Sequence, residues 1–172
     1  MSSHHPPTGV KLLLGVGNTM LGDDGIGPWV AKHMKDCPGW HAEDCGTAPE
    51  NFTGLVRRMQ PLLLVIVDAA DMHLTPGDCR RIPPEAVGQA GFDTHSLPLT
   101  HIIEYLRESM QEVPEIIFIG IQPGPVTFED TISAPVIRGG EAVAEMLCTG
   151  SVAEIPEYIP AETDVPDILE QR

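Results

Sequence analysis

Along the chain, unbroken apolar runs alternate with segments whose apolar residues recur every three or four positions. The first kind marks strands and the second marks helices, so the alternation predicts an α/β layered domain. Strands are predicted at KLLLGV (11–16), more weakly near 40–45, at LLLVIVDA (62–69), DCRRIP (78–83) and EIIFIGI (115–121). The runs at 62 and 115 are continuous in Leu, Ile and Val, as central strands buried on both faces require. DCRRIP carries two arginines and ends in proline, the mark of an exposed edge strand.

Helices are predicted between these runs. In PLTHIIEYLRESM, Leu99, Ile102, Ile103, Leu106 and Met110 form one buried stripe. Residues 26–36 and 49–59 read as shorter helices. A last helix, 133–148, places Val136, Ile137, Val143, Ala144 and Leu147 on one side, although Gly139 and Gly140 weaken its middle. No repeat or linker divides the pattern, which leaves one three-layer domain over 11–148.

Composition narrows the picture. The chain has 172 residues, 42% hydrophobic and 20% charged, enough for one sizeable core and typical of globular rather than disordered chains. Its longest apolar run, LLLVIV, is far too short to cross a bilayer. The start, MSSHHPPTG, has no apolar stretch after a basic patch, so residues 1–10 read as a flexible N-terminus and the expected location is cytoplasmic. A net charge of −15 opposes nucleic acid and anionic membrane surfaces as partners. Residues 149–172 read as an acidic, proline-containing, solvated tail, with a net charge of −5 over 151–172. The four cysteines, Cys37, Cys45, Cys79 and Cys148, form no C-x-x-C pair. They read as free thiols in a reducing compartment.

The candidate chemistry lies where strands end, because ligands of open parallel sheets bind outside the carboxyl ends of the strands. After the first strand comes GNTMLGDDGIG (17–27). Gly17 and Gly22 have the glycine spacing of a phosphate-binding loop, but Asp23-Asp24 stands where Lys-Ser/Thr is required. Two aspartates repel phosphate and suit a cation. The plainer reading makes an aspartate the N-cap of the following helix. If one of the two is chemical it is Asp24, with Asp23 capping or facing solvent.

Asp68 closes the apolar run of the third strand, where a charge needs a partner because burying it alone costs several kcal/mol. Asp71 and His73 read as loop residues. His95, just ahead of the helix that starts near Leu97, is the third candidate. His33, His41 and His101 have ordinary surface or interfacial readings, and His4 and His5 are too few for a metal store. Asp24, Asp68 and His95 together make an O, O, N set fit for a divalent first-row metal. Two facing carboxylates equally suit acid–base catalysis through a shared proton. Spacing does not choose between these.

Five motifs occur together and in order: GVGNTMLGDDGIG (15–27), CGTAPEN (45–51), VDAADM (67–72), THSLPL (94–99) and GIQP (120–123). This set resembles the hydrogenase maturation endopeptidases, particularly the branch serving formate-hydrogenlyase-type (hydrogenase 3) enzymes, over about residues 11–148. The resemblance implies a twisted, mostly parallel sheet of about five strands with helices on both faces. It implies one cut near the C-terminus of the precursor of a [NiFe]-hydrogenase large subunit, made after nickel insertion. It implies Asp24, Asp68 and His95 as nickel contacts and Asp24 and Asp68 as the catalytic acids of an aspartic-type, metal-gated protease. Asp44 matches a further acid of the pattern. Nickel is then brought by the substrate, and the identity of the general base stays open. Two alternatives remain: a metallopeptidase carrying its own zinc or nickel, although H-E-x-x-H is absent, and a non-catalytic nickel-dependent checkpoint or chaperone protein that binds the precursor.

Overall fold

The computed structural model describes residues 9–88, 90–92, 99–125, 129 and 131–160. Its strands are β1 (Lys11–Val16), β2 (Trp40–Gly46), β3 (Leu63–Asp71), β4 (Cys79–Ile82), β5 (Gly91–Phe92) and β6 (Glu115–Ile121). Its helices are α1 (Ile26–His33), α2 (Thr53–Met59), α3 (Leu99–Ser109) and α4 (Ala134–Thr149). Five strands form an open sheet in the order β2-β1-β3-β6-β4, and the two-residue β5 pairs with the end of β3. β2, β1, β3 and β6 are mutually parallel, whereas β4 runs antiparallel to β6 and β5 antiparallel to β3.

Strand alternation builds the two faces. Leu12, Leu14, Leu64, Ile66 and Phe118 pack with Val56 of α2 and with Leu99, Ile102 and Leu106 of α3. Leu13, Val65, Val67, Ile119 and Ile121 pack with Ile26 and Val30 of α1 and with Val136, Val143 and Leu147 of α4. Each large side chain so buried contributes about 1.5–3 kcal/mol. The glycines that weaken α4 in sequence have a packing role: a Cβ on Gly140 would press on Ile26 and Trp29, so Gly140 lets α4 close on α1.

β1 has β2 on one side and β3 on the other, so the strand order reverses between β1 and β3. Such a switch point opens a crevice at the carboxyl ends of the strands. β3 also runs further than its apolar pattern predicts. β6 stays beside it as far as Ala69, paired with Ile121, and β5 takes up Ala70 and Asp71. Asp68 therefore lies inside the strand rather than at its end.

Two expectations need correcting. Cys37 and Cys148 form a disulfide, with Cα atoms 6.1 Å apart, while Cys45 and Cys79 are free. The pair joins the chain just after α1 to the last turn of α4, a contact that no cysteine spacing announces. The segment read as a solvated tail is docked over its first part. Ile155 is fully buried in the α1–α4 core. Arg81 donates its backbone N–H to Pro156 O at 2.8 Å and its Nε–H to Ile155 O at 2.8 Å, and Tyr158 donates its N–H to Arg81 O at 2.7 Å. The segment covers the outer edge of β4, which would otherwise expose unpaired backbone groups. Residues 1–8 and 161–172 lie outside the described part. No helix among the described residues is long and apolar enough to cross a membrane.

Candidate functional site

The β1–β3 ladder ends at Gly15 paired with Val67, and the crevice opens beyond it. Glycine permits what happens next. A Cβ on Gly27 would collide with Val16 O and Val67 O, so the first turn of α1 rests directly on the ends of both strands. Gly17 has φ +152°, and a Cβ there would strike Asp24 O. The loop thus folds back tightly enough to lay its aspartates over the strand ends, and its turn Gly22–Gly25 packs against β3.

Neither aspartate caps α1, whose N-cap is Gly25 with no side-chain hydrogen bond. Asp24 accepts the backbone N–H of Asn18 at 2.8 Å, which holds its carboxylate within its own loop. Asp23 reaches across the molecule. Its Oδ1 accepts Ser133 N–H at 2.7 Å, and its Oδ2 accepts Gly124 N–H at 2.9 Å and Ser133 Oγ–H at 3.0 Å. Ser133 is the N-cap of α4, so the negative charge of Asp23 sits at the positive end of that helix. The expectation that Asp23 caps or faces solvent is half right: it serves a helix start, but one 110 residues away.

On the other rim, Asp68 is 1% exposed. By strand alternation it shares its side of β3 with Leu64, Ile66 and Ala70 of the α2–α3 core. Ala69 and Asp71 turn the other way, into the cavity. Asp71 ends β3 and is more than a loop residue. Its Oδ1 accepts Gln122 Nε2–H at 3.2 Å and His73 N–H at 3.2 Å, and these bonds hold its carboxyl below the usual carboxylate range. Gln122, itself buried, also accepts Met72 N–H at 2.7 Å and Leu74 N–H at 3.2 Å on Oε1, and donates Nε2–H to Pro123 O at 3.1 Å. Every polar atom of that amide is used, which pins the turn after β3 to the end of β6.

Between the rims lies a cavity of about 510 Å³. Asp23, Asp24 and Asp71 line it with Leu21, Gln122 and three prolines, and no Lys, Arg or His is among its described lining residues. Such a cavity disfavours anions and favours a partner carrying a cation. The structure thus brings Asp24 to the cavity, whereas Asp68 is buried on the opposite side of β3 and is not among the cavity's described lining residues. His95 lies outside the described residues. Among those residues, no three His, Cys, Asp or Glu side chains gather so as to hold a metal.

The other polar candidates have local roles. Asp44, exposed at the end of β2, accepts Gly46 N–H at 2.9 Å and closes its own turn. Cys45 is buried, and burial, with Asp44, Glu43 and Glu50 nearby, raises its thiol far above the ordinary range. That opposes a nucleophilic thiolate. His41 pairs with Glu43 at 2.7 Å, and His33 stacks on Trp29. Sequence reasoning missed Asp71 and Gln122 as site residues. Both lie within quoted motifs, VDAADM and GIQP, and the two-residue period of β3 from Asp68 could have separated Asp71 from it.

Fold and site together define an open-sheet α/β protein with a carboxylate-lined crevice at its topological switch point. Comparison with known proteins makes that class specific. Residues 30–150 match the family model HycI, hydrogenase maturation protease. The chain is 40% identical over 139 residues to the hydrogenase 3 maturation protease of Escherichia coli K12, covering 79% of this chain and 87% of that protein. The solution structure of the endopeptidase HycI from Escherichia coli superposes with a TM-score of 0.78 at 37% identity, covering 89% of this chain and 99% of that one. The crystal structure of the [NiFe] hydrogenase maturation protease HycI from Thermococcus kodakarensis KOD1 gives 0.73 at 29% identity, covering 83% and 92%. The chain belongs to the hydrogenase maturation proteases, a family of hydrolases.

Proposed function

We propose that this protease removes a C-terminal extension from the precursor of a [NiFe]-hydrogenase large subunit, and does so only after nickel has been inserted. Nickel arrives as part of the substrate rather than as a resident cofactor. Asp24 and Asp68, with His95, contact it and so fix the scissile peptide beside the two carboxylates. One carboxylate then takes the proton of the attacking water, as in aspartic-type hydrolysis. Cytoplasmic action, where the precursor matures, belongs to the same reading.

The observation that carries this proposal is the cavity at the switch point, with three aspartates and no basic side chain among its described lining residues. A crevice built to hold a phosphate or a free C-terminal carboxylate would present cations and backbone donors instead. A precursor exposing a metal supplies the positive charge that the described lining residues lack.

Intact mass spectrometry tests it. Mixed with the wild-type chain, the nickel-loaded precursor loses a C-terminal peptide, and the nickel-free precursor keeps its mass. Asp24→Ala abolishes the loss. Washing the protease with a chelator and removing the chelator before mixing leaves cleavage unchanged. Tight binding to the loaded precursor with no change of mass overturns the protease reading in favour of a checkpoint role.

A further inference from the structure

The hydrogen bonds within the loop Gly17–Gly25 are few: Leu21 N–H to Asn18 O at 3.1 Å, Asp24 N–H to Leu21 O at 3.2 Å, Asn18 N–H to the Asp24 carboxylate at 2.8 Å, and Met20 N–H to Asn18 Oδ1 at 2.9 Å. All of these join residues of the loop to one another. Gly17 N–H ties the start of the loop to Gly46 O at 2.8 Å, and the Asp23 side chain ties its far end to Gly124 and Ser133, which lie 101 and 110 residues further along the chain. Both of its oxygens accept, one from Ser133 N–H and the other from Gly124 N–H and the Ser133 hydroxyl. A carboxylate engaged by three donors, at the N-terminus of the 16-residue helix α4, is held in place by them.

The segment that Asp23 grips is the one that organises the opposite rim. Gln122 lies two residues before Gly124, and its amide holds Asp71, Met72 and Leu74. The stretch after β6 is therefore a common anchor. On one side it takes the Asp24 loop through Asp23, and on the other it takes the end of β3 through Gln122.

We propose that Asp23 is a positioning residue: by clamping the loop to Gly124 and Ser133 it sets where the Asp24 carboxylate stands relative to β3. The consequence for peptide cleavage rests on the function proposed above, whereas the positioning itself does not. Asp23 and Asp24 are joined by a single peptide unit, so the clamp fixes Asp24 by the shortest covalent route available. Asp23 is thus distinguished from a second chemical acid by having both of its oxygens engaged by Gly124 and Ser133.

Asp23→Asn is the decisive variant, because the amide keeps the size of the side chain and turns an N–H₂ toward a donor. The Asn18 amide, which donates to Asp24, reports the seating of that carboxylate by NMR whether or not the protein cuts anything. In Asp23→Asn its hydrogen-exchange protection is expected to fall by roughly tenfold while that of β3 stays unchanged. On the nickel-loaded precursor, kcat is expected to fall by roughly 10²-fold, with KM within about threefold of wild type. Ser133→Ala removes one of the three contacts and should shift both readouts in the same direction by less, and it serves if Asp23→Asn does not fold. Wild-type Asn18 protection together with wild-type kcat in these variants would overturn the proposal. So would a lost limb of the pH–kcat profile with Asn18 undisturbed, since Asp23 would then act as a chemical acid. If the wild-type chain leaves the loaded precursor uncut, the proposed function fails and the amide readout still decides the positioning.

Discussion

The loop after β1 and the end of β3 each carry two aspartates, and the two segments separate them by different means. On the loop, Asp23 and Asp24 are neighbours. One is engaged by Gly124 and Ser133, and the other accepts Asn18 N–H and lines the cavity. On the strand, Asp68 and Asp71 are three residues apart, and the pleat alone sends them to opposite sides. Asp68 is buried with the α2–α3 core, while Asp71 emerges at the cavity under the hold of Gln122. Identical side chains take different roles because the backbone beneath them decides what each can reach. Each rim depends on a polar clamp to the segment after β6, which is why the clamps are the places to press.

The largest effects should come from the two acids assigned to chemistry. Asp24→Ala and Asp68→Asn are expected to lower processing of the loaded precursor by about 10³-fold or more, read as the initial rate of peptide release. Asp24→Ala should retain its melting temperature, since Asp24 is only partly buried. If both variants process normally, neither rim carries the reaction. A control away from both rims comes next. Cys148→Ser opens a link spanning 111 residues and should lower stability by about 4 kcal/mol. Denaturant unfolding reads this loss, and kcat should stay at the wild-type value.

Smaller effects compare the clamps. Asp23→Ala leaves Gly124 N–H and Ser133 N–H without their acceptor, and Gln122→Ala does the same to Met72 and Leu74. Each should lower stability by about 2 kcal/mol, checked by chemical denaturation. Losses of similar size would support equivalent clamps. A negligible loss on one side would break the comparison there.

The smallest effect concerns Asp71. Its carboxyl is held below the usual range by the Gln122 hydrogen bond first and the His73 N–H second, so folding favours the ionised form. The resulting stability is present above the unfolded carboxylate pKa of about 4 and fades as pH falls through the lower folded value. The stability gap between wild type and Asp71→Asn should therefore be widest near neutrality and close in acid. Because Asp71 is largely exposed, solvent screening keeps that gap small. A gap that widens in acid would contradict the assignment.

Much of this was open to reading from sequence, and the exceptions share one cause. The strand at 62–69 declared itself because β3 is buried on both faces and needs apolar residues at every position. Asp68 stood out because it interrupts that run. The Asp23–Ser133 and Asp71–Gln122 contacts left no local mark, since their partners lie 110 and 51 residues apart. The Cys37–Cys148 link was hidden for the same reason. The docking of Ile155 was masked by the acids and prolines around it, which dominate composition although one buried side chain decides the packing. Local chemistry was legible, and pairings made by the fold were not.

The central claim is that the acids of this crevice respond to nickel carried by the precursor. It meets its most direct test in a single tube holding precursor loaded with nickel to about half occupancy. Native mass spectrometry follows the loaded and nickel-free molecules separately after the protease is added. The loaded population is expected to lose its C-terminal peptide while the nickel-free population persists at full mass. Cleavage of both populations at the same rate would contradict it.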